Sequence, residues 1–154
     1  MTEPSYQQPS YQPPAGSGPS GPRANFGQRL VAYIIDTIVF VIVYLILFLI
    51  SRPLAYVVAT ILSLVYFTYF EGSPSGQTIG KRLLGIRVID FSAGGPIGYG
   101  RAFVRWLGRI LSGAICVLGY LWMLWDKEKQ TWHDKFANDV VVPVSSYPVA
   151  SWPN

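Results

Sequence analysis

The sequence predicts an all-α integral membrane protein. Two clear transmembrane helices are expected, then a third helical or re-entrant segment, with a small cytoplasmic strand pair. Three observations point there. The chain has 154 residues, 51% of them hydrophobic and only 13% charged, where a soluble domain carries about 25% charged residues. The shortage of charge is concentrated in long apolar stretches. The lysines and arginines of a chain with net charge +4 sit at the ends of those stretches, which is loop charge beside a membrane and not a nucleic-acid footprint. Nucleic acid is therefore not an expected partner. The single Cys116 excludes an intrachain disulfide.

Residues 1–22 hold a near-repeat, "SYQQPSYQPP", and then "AGSGPSGP", with Glu3 the one charge. No core can be assembled from this composition, so a disordered, partly polyproline-like tail is expected. It lacks the basic and apolar regions of a signal peptide, and the first span is expected to remain as a signal anchor. Leu30 to Ile50 is apolar but for Asp36 and the neutral Thr37, and at 1.5 Å per residue it covers about 30 Å, a bilayer core. "SRP" at 51–53 breaks it. The second span runs over 54–70 and ends in Tyr66, Phe67, Tyr69 and Phe70, aromatic side chains suited to the headgroup level. Residues 71–100 are glycine-rich. Within them "TIGKRLL" suits a short amphipathic helix at the surface, and "GIRVID" alternates like a strand. Residues 101–125 carry Arg101, Arg105 and Arg109 at steps of four, on one slowly drifting helix face. "DVVVPV" near the end is a second strand candidate. The membrane domain is bounded at 25–143, and 144–154 is a loose end.

Charge decides the expected topology. With the N-terminus inside and 101–125 crossing once, the lysines and arginines outside the spans divide six in and four out; with 101–125 doubling back they divide nine in and one out. The positive-inside rule favours the second. Doubling back also puts both strand candidates on one side. Twenty-five residues are too few for two full spans, so a re-entrant pair shielded by protein is expected. The expected location is the cell membrane, multi-pass, with both termini cytoplasmic.

Asp36 is the residue that needs an explanation. A carboxylate at that depth costs about 2.5 to 3.5 kcal/mol on the insertion scale. Arg29, seven residues earlier, leans away towards the interface. Asp36 must then take up a proton or find another donor, and the candidates are the Tyr33 hydroxyl one turn back and an arginine of the 101–109 stripe, with Arg105 or Arg109 the expected counter-charge. A structural pair and an ion or proton site are both open readings of Asp36. The arginine stripe likewise has two: a helix lying on anionic lipid, or an internal role. "GQTIGKR" is not a phosphate loop, because three residues separate Gly76 from Gly80 and Arg82 follows Lys81. His133 is the only histidine, so no zinc set is expected, and "HDK" reads as a solvated face or a cap on the tail. No catalytic triad and no cofactor site are expected, and an enzyme is not the expectation.

Together, an Arg opening the first span, an Asp seven residues on, "GQTIGKRLLGIRVID", "GRAFVRWLGRI" and "DKEKQTWHDKFANDVVV" resemble the RDD family of small membrane proteins. The resemblance covers about residues 25 to 143. It implies that the family's arginine and two aspartates are Arg29, Asp36 and Asp134, and that the function is transport of a ligand it does not specify. A Pro/Gly/Ser-rich tail ahead of such a domain is similar to actinobacterial members. Two functional readings follow. In one, the protein is a transporter in which Asp36 binds and releases a cation or proton; two or three spans are thin for a pathway, so it would work as a homo-oligomer. In the other it is an adaptor, with the spans as anchor, the basic loop on anionic lipid and the Pro-rich tail docked on a protein partner. On either reading the protein stays in the membrane pellet after alkaline carbonate extraction; release into the supernatant would remove the basis of both.

Overall fold

The computed structural model describes residues 19, 21–115 and 118–147. The expected tail at 1–22 falls almost wholly outside the described residues, as do Cys116 and the last part of the expected loose end.

Two long helices build the membrane core. Helix α1 spans Phe26–Phe48. Asn25 starts it through a capping box: its side chain accepts from Gln28 N at 2.8 Å, and Gln28 Oε1 accepts from Asn25 N at 3.1 Å. Helix α2 spans Arg52–Gly72, with Pro53 in the first turn, where a missing N–H leaves no helical bond unmade. It therefore starts earlier and ends later than the apolar run alone indicates, and the added last turn contains Glu71. Both helices are long and apolar enough to cross a membrane, and their outer faces are open. Val39, Ile46, Val57 and Val65 are all exposed, the pattern of side chains that face lipid.

The chain then folds back onto the α1/α2 pair. Helix α3, Ile79–Leu83, is capped by Thr78, whose hydroxyl accepts from Lys81 N. It is amphipathic, as expected: Ile79 and Leu83 are exposed while Gly80 and Lys81 are buried, and Gly80 lies tight against α1. A Cβ on Gly80 would overlap the Ala32 carbonyl oxygen of α1 and come within 2.9 Å of Asp36 Oδ1.

Strand β1, Ile86–Asp90, pairs antiparallel with β2, Asp139–Pro143, with Val88 opposite Val141 and Asp90 opposite Asp139. This is the expected strand pair. Ile86, Val88 and Val141 pack with Ala24, Ala32, Ile97 and Ala102. Ile89, Val140 and Val142 pack under Phe91 and Tyr147. Both outer edges are covered: Val88 N donates to Gly76 O at 2.8 Å, and Ala24 N donates to Val141 O at 2.9 Å. A two-stranded ribbon with covered edges offers no template for pairing with another chain.

Helix α4, Gly98–Ala114, carries the arginine stripe. Ala102, Arg105, Gly108, Arg109 and Ser112 are buried, while Phe103, Val104, Leu107, Ile110 and Leu111 are exposed. The helix turns its charges inward and its apolar face out, which decides between the two readings of the stripe: Arg105 and Arg109 are internal. Beyond α4, helix α5 (Leu118–Leu121) and a 3-10 turn over Trp122–Leu124 lie at 112° to it. The third segment is thus bent and does not run on as one straight span. The return brings the Tyr120 ring to 5.0 Å from that of His133. It delivers helix α6, Trp132–Ala137, and β2 to the same end as β1.

The Gly80 contact is directly testable. Gly→Ala inside a helix normally stabilises by up to about 1 kcal/mol. Here Gly80→Ala must push α3 off α1, so its melting temperature in detergent should fall below that of the parent. Gly113→Ala, where an added Cβ meets nothing within 4 Å, should hold or raise it. A Gly80→Ala protein as stable as the parent would show that the close approach is dispensable.

Candidate functional site

Three acids and four bases from six elements converge where α2 ends. Arg105 of α4, 1% exposed, is the centre. Its Nε donates to Glu71 Oε2 at 3.1 Å, and its Nη1 donates to both Asp134 Oδ1 and Asp139 Oδ1. Glu71 Oε1 also takes Lys81 Nζ and Arg109 Nη2. Arg29 closes the cluster, with Nη2 at 2.6 Å from Asp134 Oδ2 and Nη1 donating to Lys129 O at 3.0 Å. The Arg109 guanidinium lies over the Phe67 ring, 4.3 Å from its centre, a cation–π contact.

Local sequence explains how Asp134 comes to point inward. It is the third residue of α6 and half of a capping box: its Oδ2 accepts from Thr131 N at 2.8 Å, and Thr131 Oγ1 accepts from Asp134 N. The cap leaves Oδ1 for Arg105. "HDK" is accordingly not a solvated face, since His133 and Asp134 are both buried. Gly108 allows this, because a Cβ there would stand 2.9 Å from His133 Cβ.

Of the residues singled out in the sequence, Arg29, Asp134 and Arg105 form one ion cluster, and Arg109 joins it through Glu71. Asp36 is not in it. The arginine pairing expected for Asp36 is replaced by three uncharged donors. Tyr66 Oη donates to its Oδ1 at 2.8 Å, Gly80 N to the same oxygen at 2.7 Å, and Thr78 Oγ1 to Oδ2 at 2.6 Å. Arg105 and Arg109 are taken by closer acids. Three hydrogen bonds meet a carboxylate as well as an ion pair does, and here they tie α1 to α2 and α3. Glu71, Lys81 and Asp139 were missed in the sequence. One signal was available for Glu71. Inward-facing arginines on a membrane segment need acids, and Glu71 continues the register of the second span.

Electrostatics separates the two aspartates that share Arg105. Arg105 and Arg29 overcome the burial of Asp134 and hold it well below the usual carboxylate range. Burial lifts Asp139 to about 8, with Asp134 and Glu71 adding to the rise and Arg105 opposing it. Asp139 Oδ2 has no hydrogen-bond partner among the described residues, so nothing there favours a second full charge. His133 is kept neutral by burial and by Arg105, Arg109 and Arg29, against the pull of Asp134. Burial brings the Lys81 ammonium down to about 8, still charged at neutral pH.

Beside the cluster lies a cavity of about 360 Å³. Arg29, Lys81, Arg105 and Arg109 line it, with Asp36 the one acid, and Tyr33, Tyr120 and His133 complete the polar wall. Among the described residues no group of three His, Cys, Asp or Glu side chains could hold a metal.

The RDD family description matches residues 23–138. The chain is 36% identical over 90 residues to the "Proline-rich antigen" of Mycobacterium leprae, covering 58% of this chain and 36% of that protein. It is 38% identical over 78 residues to the "Proline-rich antigen homolog" of Mycobacterium tuberculosis, covering 51% and 32%. It is 30% identical over 147 residues to "Uncharacterized protein YxaI" of Bacillus subtilis, covering 77% of this chain and 96% of that protein. The chain thus spans about a third of the length of the mycobacterial relatives it matches. No solved structure matches.

Asp139 gives the site a pH signature. Folded Asp139 keeps its proton up to about pH 8, whereas the unfolded chain releases it near the ordinary value of about 4. Its contribution to stability therefore declines as pH rises between those values and levels off above them. The melting temperature of Asp139→Asn minus that of the parent should grow from pH 5 to pH 8 and then flatten. A difference that stays constant over that range would mean that Asp139 titrates as an ordinary acid.

Proposed function

This chain belongs to the RDD family, and from that premise we propose that its membrane domain binds a small ligand inside the bundle and carries it across the bilayer. The observation that carries this reading is the cavity walled by buried charge. A cluster needed only for architecture is replaceable by apolar packing at little loss of stability. Buried charges that also line an open volume within a membrane domain are more economically explained as a ligand site. Asp36 sits on the wall of that cavity while holding α3 against α1 and α2. A change in its contacts would loosen α3, so it is the carboxylate proposed to couple binding to movement. Two spans and a bent third segment enclose little by themselves, which makes a homo-oligomer in the cell membrane the proposed working form. Both termini are proposed to face the cytoplasm.

The adaptor reading keeps its Pro-rich tail but draws less support from the basic loop. Lys81 is paired with Glu71, Arg101 with Asp90, and Arg87 is buried and donates to Pro74 O at 2.8 Å. Little of that loop's charge is left to meet anionic lipid.

The test is flux in proteoliposomes of the purified full chain, with gradients of potassium, sodium, chloride and acetate and an internal pH dye. At least one gradient should collapse faster than in protein-free vesicles. Asp36→Asn should abolish the difference, and Tyr66→Phe, which keeps the acid and removes one donor, should reduce it. Parent vesicles as tight as empty ones would sink the transport reading. Full flux in a well-folded Asp36→Asn protein would remove Asp36 from it.

A further inference from the structure

The charges around the cavity do not balance at its wall. Four cations line it against one carboxylate, and that carboxylate, Asp36, is already met by three donors. The other acids stand behind the arginines. Glu71 is shared among Lys81, Arg105 and Arg109, and Asp134 between Arg29 and Arg105. Among the described residues, two polar atoms of the lining are buried without a hydrogen-bond partner: Arg109 Nη1 and His133 Nδ1. Arg109 is 9% exposed and His133 2%. A buried guanidinium nitrogen with no acceptor is costly to leave unmet, and no described side chain supplies that acceptor. Apart from Tyr33, Tyr120 and Thr131, the rest of the lining is apolar. Leu30 and Ile110 line the cavity and are 44% and 50% exposed, so they form its outer rim on the lipid-facing side of α1 and α4.

We propose that this cavity is a binding site for a small amphiphilic monoanion, its charged head against Arg109 Nη1 and His133 Nδ1 and its apolar part toward Leu30 and Ile110. His133 donates from Nδ1 when that nitrogen carries the ring proton. The charge count favours one negative charge over two. Arg29, Lys81, Arg105 and Arg109 face Asp36, Glu71 and Asp134, while Asp139 keeps its proton to about 8. A single positive charge is left over at neutral pH. A carboxylate on a short alkyl or aryl body fits the volume, and so does the phosphodiester head of an anionic lipid reaching in from the bilayer.

This inference deepens the transport reading and rests on the same cavity. The test is titration calorimetry of the full-length protein in a non-ionic detergent with octanoate, with octanol and octyltrimethylammonium as neutral and cationic counterparts, and with inorganic phosphate as the dianion. Octanoate should bind saturably and the three others should not compete with it. Arg109→Gln should weaken binding by about tenfold or more. Because Arg109 also pairs with Glu71, a second variant leaves the ion cluster alone. Gly113 lines the cavity and has open space at its Cβ position, so Gly113→Phe should fill the volume and abolish binding at unchanged stability. A parallel titration with short-chain phosphatidylglycerol separates the sources: tighter, Arg109-dependent binding of the lipid assigns the head to the bilayer, and tighter binding of octanoate assigns it to a free acid. Absence of binding by both, equal binding of the cationic amphiphile, or binding unaffected by Gly113→Phe would overturn the proposal. If vesicles show Asp36-dependent cation flux and nothing anionic binds, the anion site falls and transport stands. If octanoate binds at this site and is never moved, the site stands and transport falls.

Discussion

A single guanidinium without access to water organises this domain. Arg105 is reached by Glu71 from α2, Asp134 from α6 and Asp139 from β2, so three separate stretches of chain are drawn to one point on α4. Each charge in such a cluster has lost its hydration, a penalty of several kcal/mol per ion that only close partners offset. Removal of one partner strands the others and typically costs about 3 to 5 kcal/mol. The cluster therefore does more than add stability. It makes the arrangement of α2, α4, α6 and β2 close to all-or-none, because no partial assembly satisfies the arginine.

Helix α4 shows what the bilayer does to ordinary amphipathicity. In water, a helix with arginines along one face turns them outward and buries Phe103, Leu107 and Ile110. Here the solvent for the outer face is hydrocarbon, so the apolar side faces out and the arginines turn in. An inward arginine needs an inward acid: Glu71 comes from the last turn of α2, and Asp134 and Asp139 come from the return segment, α6 and β2. The bend after Ala114 and the return through Tyr120 are what bring α6 within reach.

Two kinds of buried acid share the domain and behave differently. Asp36 is held by hydroxyls and a backbone N–H and fastens α3 to the spans. Asp134 and Asp139 are held by one arginine and cannot both carry full charge so close together. Burial then decides which one keeps its proton: Asp134 has a second base in Arg29, and Asp139 does not. The cavity lies between these two arrangements, with Asp36 on one wall and the arginines on another.

Much of the architecture was legible along the chain. The apolar lengths of α1 and α2, the alternation in "GIRVID" and "DVVVP", and the four-residue arginine step are local patterns, and local patterns depend on neighbours in sequence alone. The motifs that carry the family resemblance singled out Arg29, Asp36 and Asp134. The partners were not legible. Asp36 was expected to face Arg105 or Arg109 because opposite charges attract and Arg29, the base nearest in sequence, leans away to the interface. What answers it is a tyrosine, a threonine and the backbone N–H of Gly80, and a backbone donor leaves no mark in a sequence. The same limit hid Glu71, a single acid after an aromatic helix end, and the inversion of "HDK" from surface to core. The sequence by itself determined which segments lie in the membrane and which residues are too polar to be there unaccompanied. Only the tertiary structure decided who accompanies whom, because desolvated charges are satisfied by whichever donors the packing of distant elements brings within hydrogen-bonding distance.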